Sequence, residues 1–436
     1  MRLSKLCFLT TITIILISCN EQKVVSTPEV FIAISPSPQP TKTIPPTLSQ
    51  VQDNCDRQTV PSNLLPPMPT NTNQERLIAS VVENPNYESD VVITDTTGRI
   101  IQNITNHPAN DGAPKWSPDG EQIAFLSNRN GEVHTWCAGA GDECMYQLFT
   151  IKPDGTDLKQ ITTDWTFHFS WSPDGKQIVF LRAVKSDKSP YPNDPFLYEI
   201  YVVNSDGTNL RNLTNHPGFY HKPNWSPNGE KIVYQSGDIA PYPNSINVIN
   251  NDGTDLHAFS TIEGYDEVIW TLDGESLLFA SQPDNFSGNF YSNDIYRLKN
   301  DFSKIEKLTS SPDTIKERLS ISPDGKWLAY HFQSNSQQLE NICDQLRVLN
   351  IENKKDYFVF DAKEIEKYIP DQGGIPPVFV AGMSIYSIIW TPSGESLIFK
   401  QVYQIPLIGM FNGYFSIRLD GTQIEALDTN IEAFQP

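Results

Sequence analysis

Nine side chains with chemical capability recur at one place in the sequence. They stand three to five residues ahead of a repeated anchor that starts at Trp116, Trp171, Trp225, Trp270, Ile321 and Trp390. They are Asp111, His168, Tyr220, His221, Asp266, Glu267, Glu317, Arg318 and Tyr386. Aromatics, imidazoles and charges of both signs, converging on one concave mouth, would make a ligand site. The competing reading is a solvated wall with no ligand.

Three sharper chemistries find less support. Asp111, Asp266, Glu267 and Glu317 could hold a hard cation, but calcium needs about six to eight oxygens, and no acidic loop has suitable spacing. His168 and His221 could ligate a transition metal or exchange protons, yet no short-range His/Cys cluster accompanies them. No metal and no cofactor is therefore expected. His107 and His216 both lie in Thr-Asn-His-Pro and read as turn residues of a repeat. A serine nucleophile elbow needs G-x-S-x-G, and the nearest text, Gly382-Met383-Ser384-Ile385-Tyr386, lacks the second glycine.

What positions such residues is the repeat itself. The anchor reads WSPDG at 116 and 171, WSPNG at 225, WTLDG at 270, ISPDG at 321 and WTPSG at 390. Proline, aspartate and glycine make it a turn. The Trp before the turn is a large apolar contact. After each anchor comes a run such as QIVFLR or SLLFAS, apolar on both alternating faces, which predicts strands in sheets covered on both sides. A second turn follows in VVNSDGTNLRNLT (202–214) and its sisters, where Asp-Gly between β-like runs predicts a hairpin. Two sisters are degraded: Phe302 replaces the glycine in 298–309, and 349–360 lacks the turn. Four strands per unit of about 50 residues is blade-like.

The pair WSPDG-x-x-I-x-F and DG-x-x-x-x-x-LT resembles the Pro-Asp β-propeller repeat of TolB-type proteins. The resemblance covers residues from about 76 to 436 and implies an all-β ring. Residues 77–105 supply three strands of a unit without its first, and the C-terminal DTNIEAFQP reads as the missing one. Six whole units and one split unit predict seven blades, with six as the alternative. The C-terminal strand would close the ring on the N-terminal blade, as such propellers do. The first strand of each blade would line the channel. The nine residues above would then sit at its mouth. The repeats are expected to occupy the rest of the chain, leaving no room for a hydrolase domain.

The N-terminus reads as a targeting segment. Arg2 and Lys5 precede the apolar run LCFLTTITIILI, too short for a span of about 20 residues. Leu16-Ile17-Ser18-Cys19 resembles a bacterial lipobox, which implies cleavage before Cys19 and lipidation of its thiol. Residues 1–18 are thus assigned to a signal peptide, and 19–73 to a Pro/Thr/Ser-rich disordered tether at about 3 Å per residue. Residues 74–436 form the propeller domain. The membrane, through the lipid, is the first expected partner. The location is extracytoplasmic, in the periplasm or at the cell surface.

A formal charge of −20 without basic stripes excludes a nucleic-acid partner. Beyond Cys7 and Cys19, the cysteines are Cys55, Cys137, Cys144 and Cys343. Cys137 and Cys144 flank the small loop AGAGDE and are expected to form a disulfide; a Cys55–Cys343 pair is left by elimination. Three insertions offer binding surfaces: 181–196, the Cys137–Cys144 loop, and 361–383 with a short helix AKEIEKYI. The function expected is non-catalytic binding or scaffolding of a protein, peptide or envelope glycan. The alternative is a channel-mouth enzyme, such as a metal-assisted polysaccharide lyase or hydrolase.

Overall fold

A computed structural model describes residues 57–61, 64, 77–83, 88–95, 99–130, 146–185, 196–237, 245–260, 268–281, 293–311, 314–334, 343–367, 378–379, 385–391, 393–405 and 409–427. Nearly every element is a strand, and the strands form seven antiparallel sheets arranged as the blades of a propeller. Blade 1 has three strands, Ile78–Glu83, Ser89–Thr94 and Ile100–Asn103. Blades 2 to 6 have four each, beginning at Asp111, Thr166, Phe219, Ile269 and Thr314. Blade 7 runs from Ile385–Trp390 to Glu425–Leu427 and gains a short extra strand, Val378–Phe379. The helix expected from AKEIEKYI is a single stretch of 3-10 helix, Ala362–Lys367.

Two-sided burial of the second strands explains their unbroken apolar runs. In blade 3, Ile178 and Phe180 pack with Ala124 and Leu148 of blade 2, while Val179 and Leu181 pack with Tyr220 and Ile232 of blade 4. Alternation thus divides the side chains between two neighbours. Each junction between consecutive blades has such a cluster. The seam between the last blade and the first is filled by Ile78 with Ile398, Tyr414 and Leu427. The closing strand expected from residues 428–436 lies outside the described residues.

The anchor turn works as its residues suggest. Gly175 N donates to Ser172 O (2.9 Å), and Gly175 takes φ 68°. Ser172 Oγ donates to Asp174 Oδ1 (2.7 Å) and accepts from Gln177 N (2.9 Å). The anchor Trp does more than fill space. Trp171 Nε1 donates to Lys115 O (3.0 Å), Trp270 Nε1 to Asn224 O (3.4 Å) and Trp390 Nε1 to Ser320 O (2.9 Å). Each donor reaches an innermost strand of an earlier blade, at the residue just before that blade's own anchor.

Both degraded hairpins still turn. Phe302 adopts φ 60° in the place where sister turns have glycine, and its ring packs 6.0 Å from that of Phe259 in blade 4. In blade 6, expected to lack the turn, Lys354 takes φ 59° and donates to Asn350 O (2.9 Å). At Phe302, packing against the neighbouring blade outweighs local preference.

Candidate functional site

The innermost strands share a defect. Their pairing with the second strand slips between Gly112 and Lys115, Phe167 and Phe169, His221 and Asn224, Glu317 and Ser320, and Ile385 and Ser387. In four of these five bulges a non-glycine residue is left-handed: Ala113 (φ 50°), His168 (φ 32°), Lys222 (φ 45°) and Arg318 (φ 60°). All four stand three residues before the anchor. A bulge inserts an unpaired residue and re-aims its side chain. Left-handed non-glycine backbone costs of order 1 kcal/mol per residue, and such strain gathers at functional sites. The repeat therefore sets His168, Lys222 and Arg318 at one level of the ring, each on its blade's first strand.

The predicted residues divide around these bulges. His168 and Arg318 are bulge residues, and His168 is exposed. Tyr386 occupies the register break of blade 7, within Ile385–Trp390; its side chain lies outside the described residues, as do Asp266 and Glu267. Asp111 is not at a mouth surface. It is fully buried, and Arg129 Nη2 donates to both its oxygens at 2.9 and 2.8 Å. That guanidinium lies over the rings of Phe125 and Phe149. Tyr220 is also buried, packed edge-on against Tyr234. Burial pushes its hydroxyl up to about 12, so it keeps its proton, and it lies 2.8 Å from His216 Nδ1. His216, read as a turn residue, thereby braces blade 4. Burial pulls the His221 imidazole below its usual range, with Lys222 adding to the effect, so its ring is neutral near pH 7. Its buried Nε2 has no hydrogen-bond partner among the described residues.

Glu317 opens onto a charged chain that the sequence reading missed. Its Oε1 lies 3.1 Å from His331 Nδ1, and His331 Nε2 lies 2.8 Å from Asp344 Oδ1. His331 and Asp344 are buried. Burial opposes charge on the imidazole, but the hydrogen bonds it donates to Asp344 and Glu317 outweigh burial and raise His331 to about 9. Burial likewise pushes Glu317 up, and the imidazolium outweighs it, leaving the carboxyl below its usual range. Beside this chain, Lys316 is buried, with Nζ donating to Asn293 O (2.8 Å), Thr314 Oγ1 (2.6 Å) and Asp294 Oδ1 (3.2 Å) of blades 5 and 6. Arg347 Nε bonds Asp356 Oδ2 (3.0 Å) in the same blade. The clue available in sequence was a charged residue inside an apolar strand run, as His331 in WLAYHF.

With both ring nitrogens engaged by carboxylates and a proton held to about pH 9, His331 is built to fix Glu317 in place. A nitrogen that takes protons from a substrate must be exposed and poised near the working pH. No group of three or more His, Cys, Asp and Glu side chains among the described residues is arranged to hold a metal.

Comparison with known proteins agrees on the repeat. Residues 170–354 match the family described as TolB beta propeller domain. Dipeptidyl-peptidase 5 of Porphyromonas endodontalis is 25% identical over 245 residues, which is 55% of this chain and 32% of that protein. The Tol-Pal system protein TolB of Anaeromyxobacter dehalogenans is 25% identical over 136 residues, 31% of this chain and 26% of that one. The chain spans less than half the length of the curated relatives it matches. A puromycin-hydrolyzing peptidase of Mycobacterium tuberculosis has the same fold, with TM-score 0.53 and 13% identity over 85% of this chain and 56% of that structure. The ring is a seven-bladed propeller, and its central blades match the TolB repeat.

Proposed function

We propose that this TolB-type propeller is a non-catalytic binding protein of the cell envelope, which takes a protein, peptide or glycan at the channel face of its innermost strands. The observation that carries the reading is the recurrent left-handed bulge. Left-handed non-glycine backbone recurs at His168, Lys222 and Arg318, at the same distance before the anchor in three blades, and a binding role would retain strain in that pattern. The protonated, doubly engaged His331 supports binding over proton transfer. Attachment through a lipid on Cys19 and a tether over residues 19–73 belongs to the same proposal. Its support is the lipobox-like sequence and the composition that follows it.

The test is a panel of envelope glycans and peptides presented to the full chain and to a His168→Ala/Lys222→Ala/Arg318→Ala variant of unchanged circular dichroism. Binding that falls at least about tenfold in the variant, with every ligand recovered intact, supports the reading. Cleaved or eliminated products would favour the channel-mouth enzyme instead. Incorporation of a labelled fatty acid, lost in Cys19→Ser, tests the anchor separately.

A further inference from the structure

The segment 57–60 does not lead directly into blade 1. It lies along the outer edge of blade 6. Phe358 N donates to Gln58 O at 2.8 Å, and Thr59 forms a parallel bridge with Phe358. The Arg57 guanidinium pairs with Asp361 (2.8 Å) and Glu364 (3.1 Å) and lies 5.8 Å from the Phe358 ring centre. Val60 is 3% exposed, within the core shared by blades 6 and 7. Only later, at Ile78, does the chain enter blade 1.

Cys343 immediately precedes the third strand of blade 6, fixed there by mutual bonds with Ser334, and it is disulfide-bonded. Two residues on, Gln345 pairs with Asp361, the carboxylate that Arg57 grips. The cysteine two residues before Arg57 is Cys55. Cys137 and Cys144 belong in sequence between Ile123–Ser127 and Gln147–Ile151, strands of blade 2, with blades 7 and 1 intervening.

We propose that Cys343 is cross-linked to Cys55, and that this bond and residues 57–60 together form a clasp fixing the incoming chain to blade 6. Forming it joins two sulfurs and releases two protons. The two electrons pass to the disulfide of a thiol–disulfide oxidoreductase, which becomes a dithiol. The clasp has two consequences. It covers the backbone edge of Asp356–Asp361 that would otherwise be open to pairing. It also isolates Ile78–Glu83 from any pull on residues 1–54. That strand pairs only with Ser89–Thr94 among the described residues and sits at the ring's seam.

The experiment inserts a site-specific protease sequence after Thr70 in the full oxidised chain. After cleavage, the N-terminal fragment is expected to stay with the propeller in denaturing electrophoresis without reductant, and to leave once dithiothreitol is added. Peptide mapping should recover Cys55 joined to Cys343. Release without reductant, or Cys343 joined to another cysteine, overturns the cross-link. Cys55→Ser leaves blade 6 intact should Cys343→Ser fail to fold. In Cys55→Ser, amides of Ile78–Glu83 should exchange about tenfold faster, with blade 3 unchanged. Equal exchange in both forms, or a uniform rise over all blades, overturns the isolating role.

Discussion

Trp171 Nε1 donates to the carbonyl oxygen of Lys115 at 3.0 Å, tying the end of blade 3's innermost strand to the backbone of blade 2. The same tie recurs from Trp390 to Ser320. Trp225 keeps the burial of these residues, but its Nε1 has no hydrogen-bond partner among the described residues. This contrast separates the hydrogen bond from the hydrophobic contact. Trp171→Phe and Trp390→Phe should each lose about 1 kcal/mol more than Trp225→Phe, the net worth of a buried hydrogen bond. Urea unfolding of the three variants, followed by circular dichroism, measures it. Equal losses would mean that only the apolar contact matters.

Much of this was legible because a repeat multiplies weak signals. One such anchor is a turn, but six anchors of this kind at blade spacing are an architecture, and two-faced apolar runs announced sheets packed on both sides. The site was less legible for a physical reason. Position relative to the anchor picked out His168 and Arg318, which the structure places in the bulges. Alternation around a bulge is broken, however, so the same count could not tell that Asp111 and Tyr220 turn into the core. The His331 partners Glu317 and Asp344 come from different strands of blade 6, and single-sequence spacing carries no pairing register.

The imidazole of His331 makes stability depend on pH. Its folded value is raised from 6.5 to about 9, so its contribution is full below pH 6.5 and is lost as pH rises through about 9. The shift corresponds to ~3 kcal/mol at most. Wild-type protein should lose thermal stability between about pH 6.5 and 9. His331→Gln should be less stable at pH 6 and show a flatter profile across that window. A wild-type midpoint that stays constant over this range would show that His331 is neutral in the fold.

The Asp111–Arg129 pair lies inside the fold. Both side chains are buried, at 0% and 6% exposure, so removing one charge strands the other. Asp111→Asn should cost about 3 kcal/mol or more, the usual penalty for breaking a buried pair from one side. Asp111→Asn with Arg129→Met should recover part of that loss, because the uncompensated cation is gone. Chemical unfolding of the single and double variants gives the coupling directly.

Gly421, in the Asp-Gly turn of blade 7, presses on the outermost strand of blade 6. A Cβ there would stand 2.8 Å from Val359 O, on a backbone with φ 76°. Gly229 has a similar φ of 73°, but its Cβ would meet nothing nearer than Pro173 Cδ at 3.7 Å. Gly229→Ala should cost only the conformational strain, about 1 kcal/mol, whereas Gly421→Ala adds a backbone clash. Differential scanning calorimetry should give the lower midpoint for Gly421→Ala. The opposite order would mean that the two blades part easily at this contact.

The bulge residues allow stability and function to be set against each other. Glycine adopts a left-handed backbone without strain, so His168→Gly, Lys222→Gly and Arg318→Gly each remove an unfavourable conformation. Ala113→Gly does the same where there is no functional side chain. Relief of strain opposes the greater chain entropy that glycine has when unfolded, so Ala113→Gly should fall within about 1 kcal/mol of wild type, and the other three lose in addition what their side chains contribute to the fold. Binding should separate them. If the strain is retained for a ligand, Ala113→Gly should bind as wild type does while the other three weaken. Were all four to bind alike, the bulges would serve only to bend the innermost strands around the channel, and the binding face would have to be sought on the insertions.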